Sequence, residues 1–357
     1  MKRFCMKRVL PLLLAVCTVV TLTGADVFAA DGTQISVASI ENYEKAVSVD
    51  AQESSVSTQF RGAPIYRGSI TSISQTGATA DSVTVAWNDT AGVGSYYVEY
   101  SVYYAGSPYA GPVDKTVSGA TSYTIDGVPQ GAVVYVSYIG RVGSSNTNYA
   151  YNFYAYTIPG TVTGFSYTFG SGHDLTIYWD SYYYNGSTYY VNGYYVNVYD
   201  TSGNLVSHQE PGRTDSQLAI SGLSKKKVYQ VQITPYVTAS DGTVVTGTTY
   251  TKYVIPQPKV SNSKKNLKLH SIKLKWNKVS GAKKYIVYVA QSKSYVSDTS
   301  SMLKWKKVAT TKKNSYNLTK FKKKTINTNT YYYYICVVTV TKYGKSTDYY
   351  GVYGHTY

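Results

Sequence analysis

Three stretches of this chain alternate apolar and polar residues and then run into a tryptophan: "DSVTVAWN", "DLTIYWD" and "SIKLKWNKV". Alternation with a period of two is the signature of a strand buried on one face. The tryptophans are Trp87, Trp179 and Trp276, spaced 92 and 97 residues apart. Each is followed by a second alternating run: "YYVEY" from Tyr96, "YYVNVY" from Tyr194 and "YIVYV" from Tyr285. The gap from tryptophan to tyrosine is nine residues in the first and third copies and fifteen in the second, where "YYYNGSTYY" reads as a longer loop.

Further along, "YTIDGV", "LAISGL" and "YNLTKF" are followed by "VVYVSYIG", "YQVQITPY" and "YYYYICVV". Turn residues fall between these runs, at Ser202-Gly203-Asn204, Asp241-Gly242 and Tyr343-Gly344-Lys345. The first two copies end at "YTIPG" and "YVIPQP", with Pro159 and Pro256 one 97-residue period apart. Proline removes a ladder donor, so both mark module junctions. No segment carries a helical apolar stripe. The pattern predicts an all-β chain of three tandem antiparallel β-sandwiches, over residues 63–158, 159–255 and 256–357.

These residues resemble the fibronectin type III family. The tryptophans match its second strand, Tyr96, Tyr194 and Tyr285 its third, and Tyr229 its tyrosine corner, six residues after Leu223. In the other copies the spacing departs: Val128 to Tyr135 is seven residues and Phe321 to Tyr331 is ten. The copies around Trp87 and Trp276 also look like modules of exported proteins of Gram-positive bacteria. The resemblance implies a fold. It does not imply a ligand, because such sandwiches host unrelated functions.

The N-terminus changes the picture of where the chain acts. "MKRFCMKR" followed by "VLPLLLAVCTVVTLT" and "VFAA" predicts a signal peptide over residues 1–29, and Ser-, Ala- and acid-rich residues 30–62 predict a flexible leader. No later apolar run is long enough to span a bilayer, and the "GVYGHTY" ending carries no hydrophobic tail. The expected product is secreted, or held at the cell surface by non-covalent contacts. It keeps one cysteine, Cys336, so no internal disulfide is expected.

Candidate chemistry is sparse. The modules hold two glutamates, Glu99 and Glu210, in different copies, so a carboxylate pair facing across a cleft is not in evidence. His173, His208, His270 and His355 lack ligand spacing. The expectation is a non-enzymatic protein with no cofactor and no metal.

Charge is uneven. Residues 256–357 contain 21 Lys, no Arg and two acids, for a net +19, while the signal gives +3 and residues 30–255 the remaining −6. Lysine at alternate positions such as Lys273 and Lys275 is accounted for by a solvated face and edge protection. A field of +19 goes further and attracts polyanions. The loop lysines Lys306, Lys307, Lys312, Lys313, Lys322, Lys323 and Lys324 are the candidate contacts, with Lys320 in the same loop clusters. Without arginine, bidentate reading of phosphates or bases is disfavoured. The expected partner is an anionic cell-wall polymer or acidic glycan, with no specific nucleic-acid partner.

Tyrosine is the other excess, 42 residues against 7 Phe and 4 Trp. Cross-strand ladders account for part of it. Tyr182, Tyr183, Tyr184, Tyr189 and Tyr190 in the long loop of the second copy are candidates for partner contact, as are Tyr103, Tyr104 and Tyr109 in the first. In "YYYYICVV" the favoured register points Tyr331, Tyr333, Ile335 and Val337 to the core and Tyr332, Tyr334 and Cys336 outward; a one-residue slip exchanges the sets. Two function classes follow: a binding or adhesion protein, and a carbohydrate-binding accessory that targets polysaccharide.

Overall fold

Where the sequence alternates, strands form, and they assemble into three two-layer units. The computed structural model describes residues 27–28, 34–35, 63–144, 147–170, 174–180, 191–266, 270–296, 303–346 and 353–355. The expected signal and leader lie outside the described residues, apart from Val27–Phe28 pairing with Gln34–Ile35. No helix occurs among the described residues.

In the first module, Ile70–Ala78, Ser82–Asp89 and Ser122–Asp126 form a three-stranded sheet. Facing it, Ile65–Arg67, Tyr149–Tyr151, Val133–Arg141, Ser95–Tyr104 and Ser107–Ser118 lie side by side in that order, with Phe153–Tyr156 also on Val133–Arg141. The second module repeats the plan. Thr163–Thr168, Leu175–Asp180 and Gln217–Ile220 form one sheet; Leu205–Gln209, Gly193–Tyr199, Tyr229–Thr238, Val244–Thr246 and Tyr250–Val254 form the other. In the third, Val260–Asn266, Ser271–Trp276 and Ser315–Leu318 face Lys306–Thr311, Lys284–Ser292, Tyr332–Thr341, Gly344–Lys345 and Tyr353–His355. All pairings are antiparallel.

Each core is built on the residues that the repeat singled out. Trp87, Trp179 and Trp276 are buried, and each meets its partner tyrosine edge to face: Trp87–Tyr96 at 5.0 Å, Trp179–Tyr194 at 5.5 Å and Trp276–Tyr285 at 5.6 Å between ring centroids. The indole N–H of all three finds no hydrogen-bond acceptor, so these are packing pairs. Val83, Val85, Val98 and Ile139 fill the first core, Ile177, Val196 and Val231 the second, and Leu274, Val287 and Ile335 the third.

The tyrosine corner has three outcomes. In the second module the Ser224 amide donates to the Tyr229 hydroxyl at 2.8 Å, as the spacing implies. In the third the corner is made by Tyr333, whose hydroxyl accepts from the Asn327 amide at 3.1 Å; Tyr331 lies two residues too early because the loop after Phe321 holds a hairpin. In the first module Val134 takes the buried position and Tyr135 turns outward to stack on Tyr154 at 4.8 Å.

The "YYYYICVV" strand follows the favoured register on its core side: Tyr333, Ile335 and Val337 are buried in the third core and Tyr331 packs against it. Its other side differs from expectation. Tyr334 and Cys336 are each 1% exposed, not solvent-facing. Residues on either side of the undescribed stretch 297–302 lie across this face. Leu303 and Trp305 cover Tyr334, Ala290, Cys336, Ile286 and Val338, with Val296 and Tyr332 at the margin. The Val296 amide donates to the Tyr334 hydroxyl at 2.7 Å. The strand is apolar on both faces because both faces are buried.

Residues 64–357 form one compact unit, and hydrogen bonds cross its module junctions. The Gln75 amide donates to Asp241 at 2.9 Å, the Tyr154 amide donates to the Ser240 hydroxyl at 2.8 Å, and the Ser240 amide donates to the Tyr154 carbonyl at 3.0 Å. Between the second and third modules the Ser280 amide donates to the Lys226 carbonyl at 2.7 Å, and the Tyr253 and Tyr343 rings stack at 4.3 Å.

Candidate functional site

Period-two strands place Lys273 and Lys275 outward while Ile272, Leu274 and Trp276 go to the core. Every lysine of the third module whose side chain is described is exposed. Between described residues the ion pairs are Arg141–Asp89 and Lys225–Asp174, both in the first two modules, where His208 also lies within hydrogen-bond distance of Glu210.

Strand register divides the seven candidate lysines into two groups. Lys275 pairs with Ser315, Tyr285 with Thr311, and Lys284 with Val340. The turns after Trp276, Thr311 and Thr341 therefore lie at one end, the end that meets the second module. Lys312 and Lys313 sit there, with Lys278, Lys283 and Lys342. Ile272 pairs with Leu318, Val289 with Lys306, Tyr288 with Lys307, and Ser292 with Tyr332. Lys306, Lys307, Lys322, Lys323 and Lys324 accordingly cluster at the opposite, distal end. The strand from Lys306 to Lys312 separates the groups by roughly 20 Å, at about 3.3 Å per residue.

The distal group contains a feature that sequence reading missed. Lys320–Phe321 pairs with Lys324–Thr325 in a two-residue hairpin whose central residues, Lys322 and Lys323, have φ of 51° and 67°. Both central residues at positive φ is the type I′ geometry, which favours Asn-Gly. The hairpin is held from beneath: Phe321 is buried against Tyr333 at 6.3 Å, edge to face, and the Ile326 amide donates to the Thr319 carbonyl. The Lys322 Nζ lies 5.2 Å from the Phe321 ring centroid. "KFKKKT" contains no turn residue, so the bend left no signal in the sequence.

The tyrosines fall into two classes. Many that face outward lie against each other. Tyr138 stacks on Tyr149 at 5.8 Å, Tyr149 on Tyr151 at 6.0 Å, and Tyr195 on Tyr236 at 4.4 Å. Burial among these neighbours pushes the Tyr135, Tyr138 and Tyr236 hydroxyls up, and holds Tyr100, beside Tyr123, at about 12. Tyr97 and Tyr109 stay more than half exposed, with Tyr104 edge to face against Tyr109 and packed on the first core. Tyr103 is half-buried. Tyr182, Tyr183, Tyr184, Tyr189 and Tyr190 lie outside the described residues.

The remaining polar groups are engaged locally. Glu99 accepts from the Ser137 hydroxyl, and His208 bonds Asn197 at 2.7 Å and Glu210 at 3.1 Å. Among the described residues no cluster of three His, Cys, Asp or Glu could hold a metal ion, and no helix is long and apolar enough to cross a membrane.

No family model matches the chain, and no curated protein matches it. Solved structures to which it is similar include the two-domain fibronectin type III segment of chicken tenascin. That match has 12% identity, covers 52% of this chain and 98% of that one, and has a TM-score of 0.29. Another is the FN1–FN3 domains of chicken CNTN1, at 13% identity, 81% and 98% coverage, and a TM-score of 0.26. Both are tandem fibronectin type III segments. The sandwich assignment stands on the strand order and registers above.

Proposed function

We propose that the protein is an exported, non-catalytic binding protein whose third module docks on an anionic polymer at the cell surface. One observation carries this reading: a net +19 in residues 256–357, spread over lysines that are exposed wherever their side chains are described. Holding that many like charges in one module of about a hundred residues costs self-repulsion, which bound polyanion relieves. The absence of arginine fits a partner bound by its charge density rather than by the geometry of a particular group. The expected signal peptide supplies the compartment, and the first two modules, mildly acidic and tyrosine-rich, remain available for other contacts.

Cell fractionation tests the reading. A wash with molar salt, which shortens the Debye length to about 3 Å, is expected to release most of the protein from cells expressing it. Retention through that wash, with release only by detergent or wall digestion, contradicts electrostatic docking.

A further inference from the structure

We infer that the polyanion is gripped end-on by the distal hairpin of the third module, with Lys322 and Lys323 as its tip, and that the partner is a flexible phosphodiester polymer. The inference rests on the docking proposal above and narrows it to one end of one module. Its first support is backbone strain. Two consecutive non-glycine residues hold positive φ at the hairpin turn, where Asn-Gly suits the backbone better. Strained residues persist where the surroundings over-determine them, and they concentrate at functional sites. Here the surroundings are Phe321, Tyr333 and Ile326, all buried beneath the turn.

The second support is placement. Lys304, Lys306, Lys320 and Lys324 are exposed at the same end as the tip. A chain reaching the tip meets further ammonium groups on either side of it. The third is chemistry. An ammonium is a compact point charge, suited to a repeat unit that carries one negative charge in no fixed orientation. The rings under the hairpin, Phe321 and Tyr333, are buried and offer no face to a sugar. The hairpin tip itself therefore acts by charge, which a poly(glycerol phosphate)-like chain supplies at every repeat unit; the exposed Tyr295 ring at the same end lies edge to face on Tyr332.

The test compares two double variants of the full mature chain, each removing two positive charges. Lys322→Asn with Lys323→Gly relaxes the turn and neutralises the tip; Lys312→Asn with Lys313→Asn neutralises the opposite end. Binding is measured to poly(glycerol phosphate) and, in parallel, to polygalacturonate. The tip variant is expected to lose about tenfold or more in affinity for poly(glycerol phosphate), with a salt slope shallower by about one to two. It is also expected to melt about 5 °C higher in the third module's transition. The other variant is expected to lose less than about threefold. Equal losses in both overturn the end-on site and leave the docking proposal standing. Tighter binding to polygalacturonate overturns the phosphodiester assignment, and a lower melting point in the tip variant overturns the strain argument. Failure of the unaltered chain to bind either polymer overturns the docking proposal itself.

Discussion

Replacing Trp305 with Ala is expected to destabilise the third module by about 3 kcal/mol, as for other large aromatic truncations against a packed surface. The ring bridges two small clusters on the outer side of the sheet, one around Ile286, Cys336 and Val338 and one around Ala290, Leu303 and Tyr334. Trp305 packs against both groups, so its loss uncovers the sheet as well as leaving a gap. Two readouts follow. The module's thermal transition falls by roughly 12 °C or more, at about 4–8 °C per kcal/mol for a domain of this size. The Cys336 thiol, 1% exposed in the intact protein, becomes reactive toward a thiol reagent under native conditions. Unchanged thiol protection with an unchanged midpoint contradicts the cover.

Acid is expected to weaken the first module through a single carboxylate. The Asp89 side chain is buried and pairs with Arg141, while the Tyr96 hydroxyl donates to it at 2.8 Å. Burial alone pushes its pKa up. The nearby Ser69 side chain, the Ala91 amide, Arg141 and Tyr96 outweigh that and hold it at about 2, against an unfolded value of about 3.9. The folded value is depressed, so the contribution is present above pH ~4 and is lost as pH falls from ~4 towards ~2. Its size is on the order of 2–3 kcal/mol. Asp89→Ala is expected to cost about 3 kcal/mol at pH 7, because Arg141 and the Tyr96 hydroxyl lose their partner. It should also flatten the module's stability between pH 5 and 2.5. A variant that retains the steep acid loss of the unaltered chain places that loss elsewhere.

The same tyrosine is used differently in the third module, and this bears on what a sequence can convey. Tyr96 donates to Asp89, whereas Tyr285 accepts from the Val279 amide at 2.9 Å, with exposed Lys278 two residues after the tryptophan in place of the acid. Alternation and the near-100-residue repeat made the two-sheet plan and its buried Trp and Tyr positions legible, because each depends on local spacing, and the family resemblance pointed to the Tyr229 corner. The third module's corner was not legible, since a hairpin with no turn residue displaced it from Tyr331 to Tyr333. Nor was the burial of Tyr334 and Cys336. Their cover comes from Val296, Leu303 and Trp305, apolar residues in a stretch of sequence without periodicity that declares no face. The lysines were legible as a charge total but not as a site: neighbours in sequence, such as Lys307 and Lys312, lie at opposite ends of one strand.

The central claim, that charge on the third module docks the protein on a polyanion, is tested most directly by a salt titration. Affinity of the mature chain for poly(glycerol phosphate) is measured between 50 and 200 mM monovalent salt. With about five lysine–phosphate contacts, the logarithm of the association constant is expected to fall with a slope of about −3 to −5 against the logarithm of salt, or roughly 60- to 1,000-fold across that range. Binding whose strength does not change with salt contradicts the account.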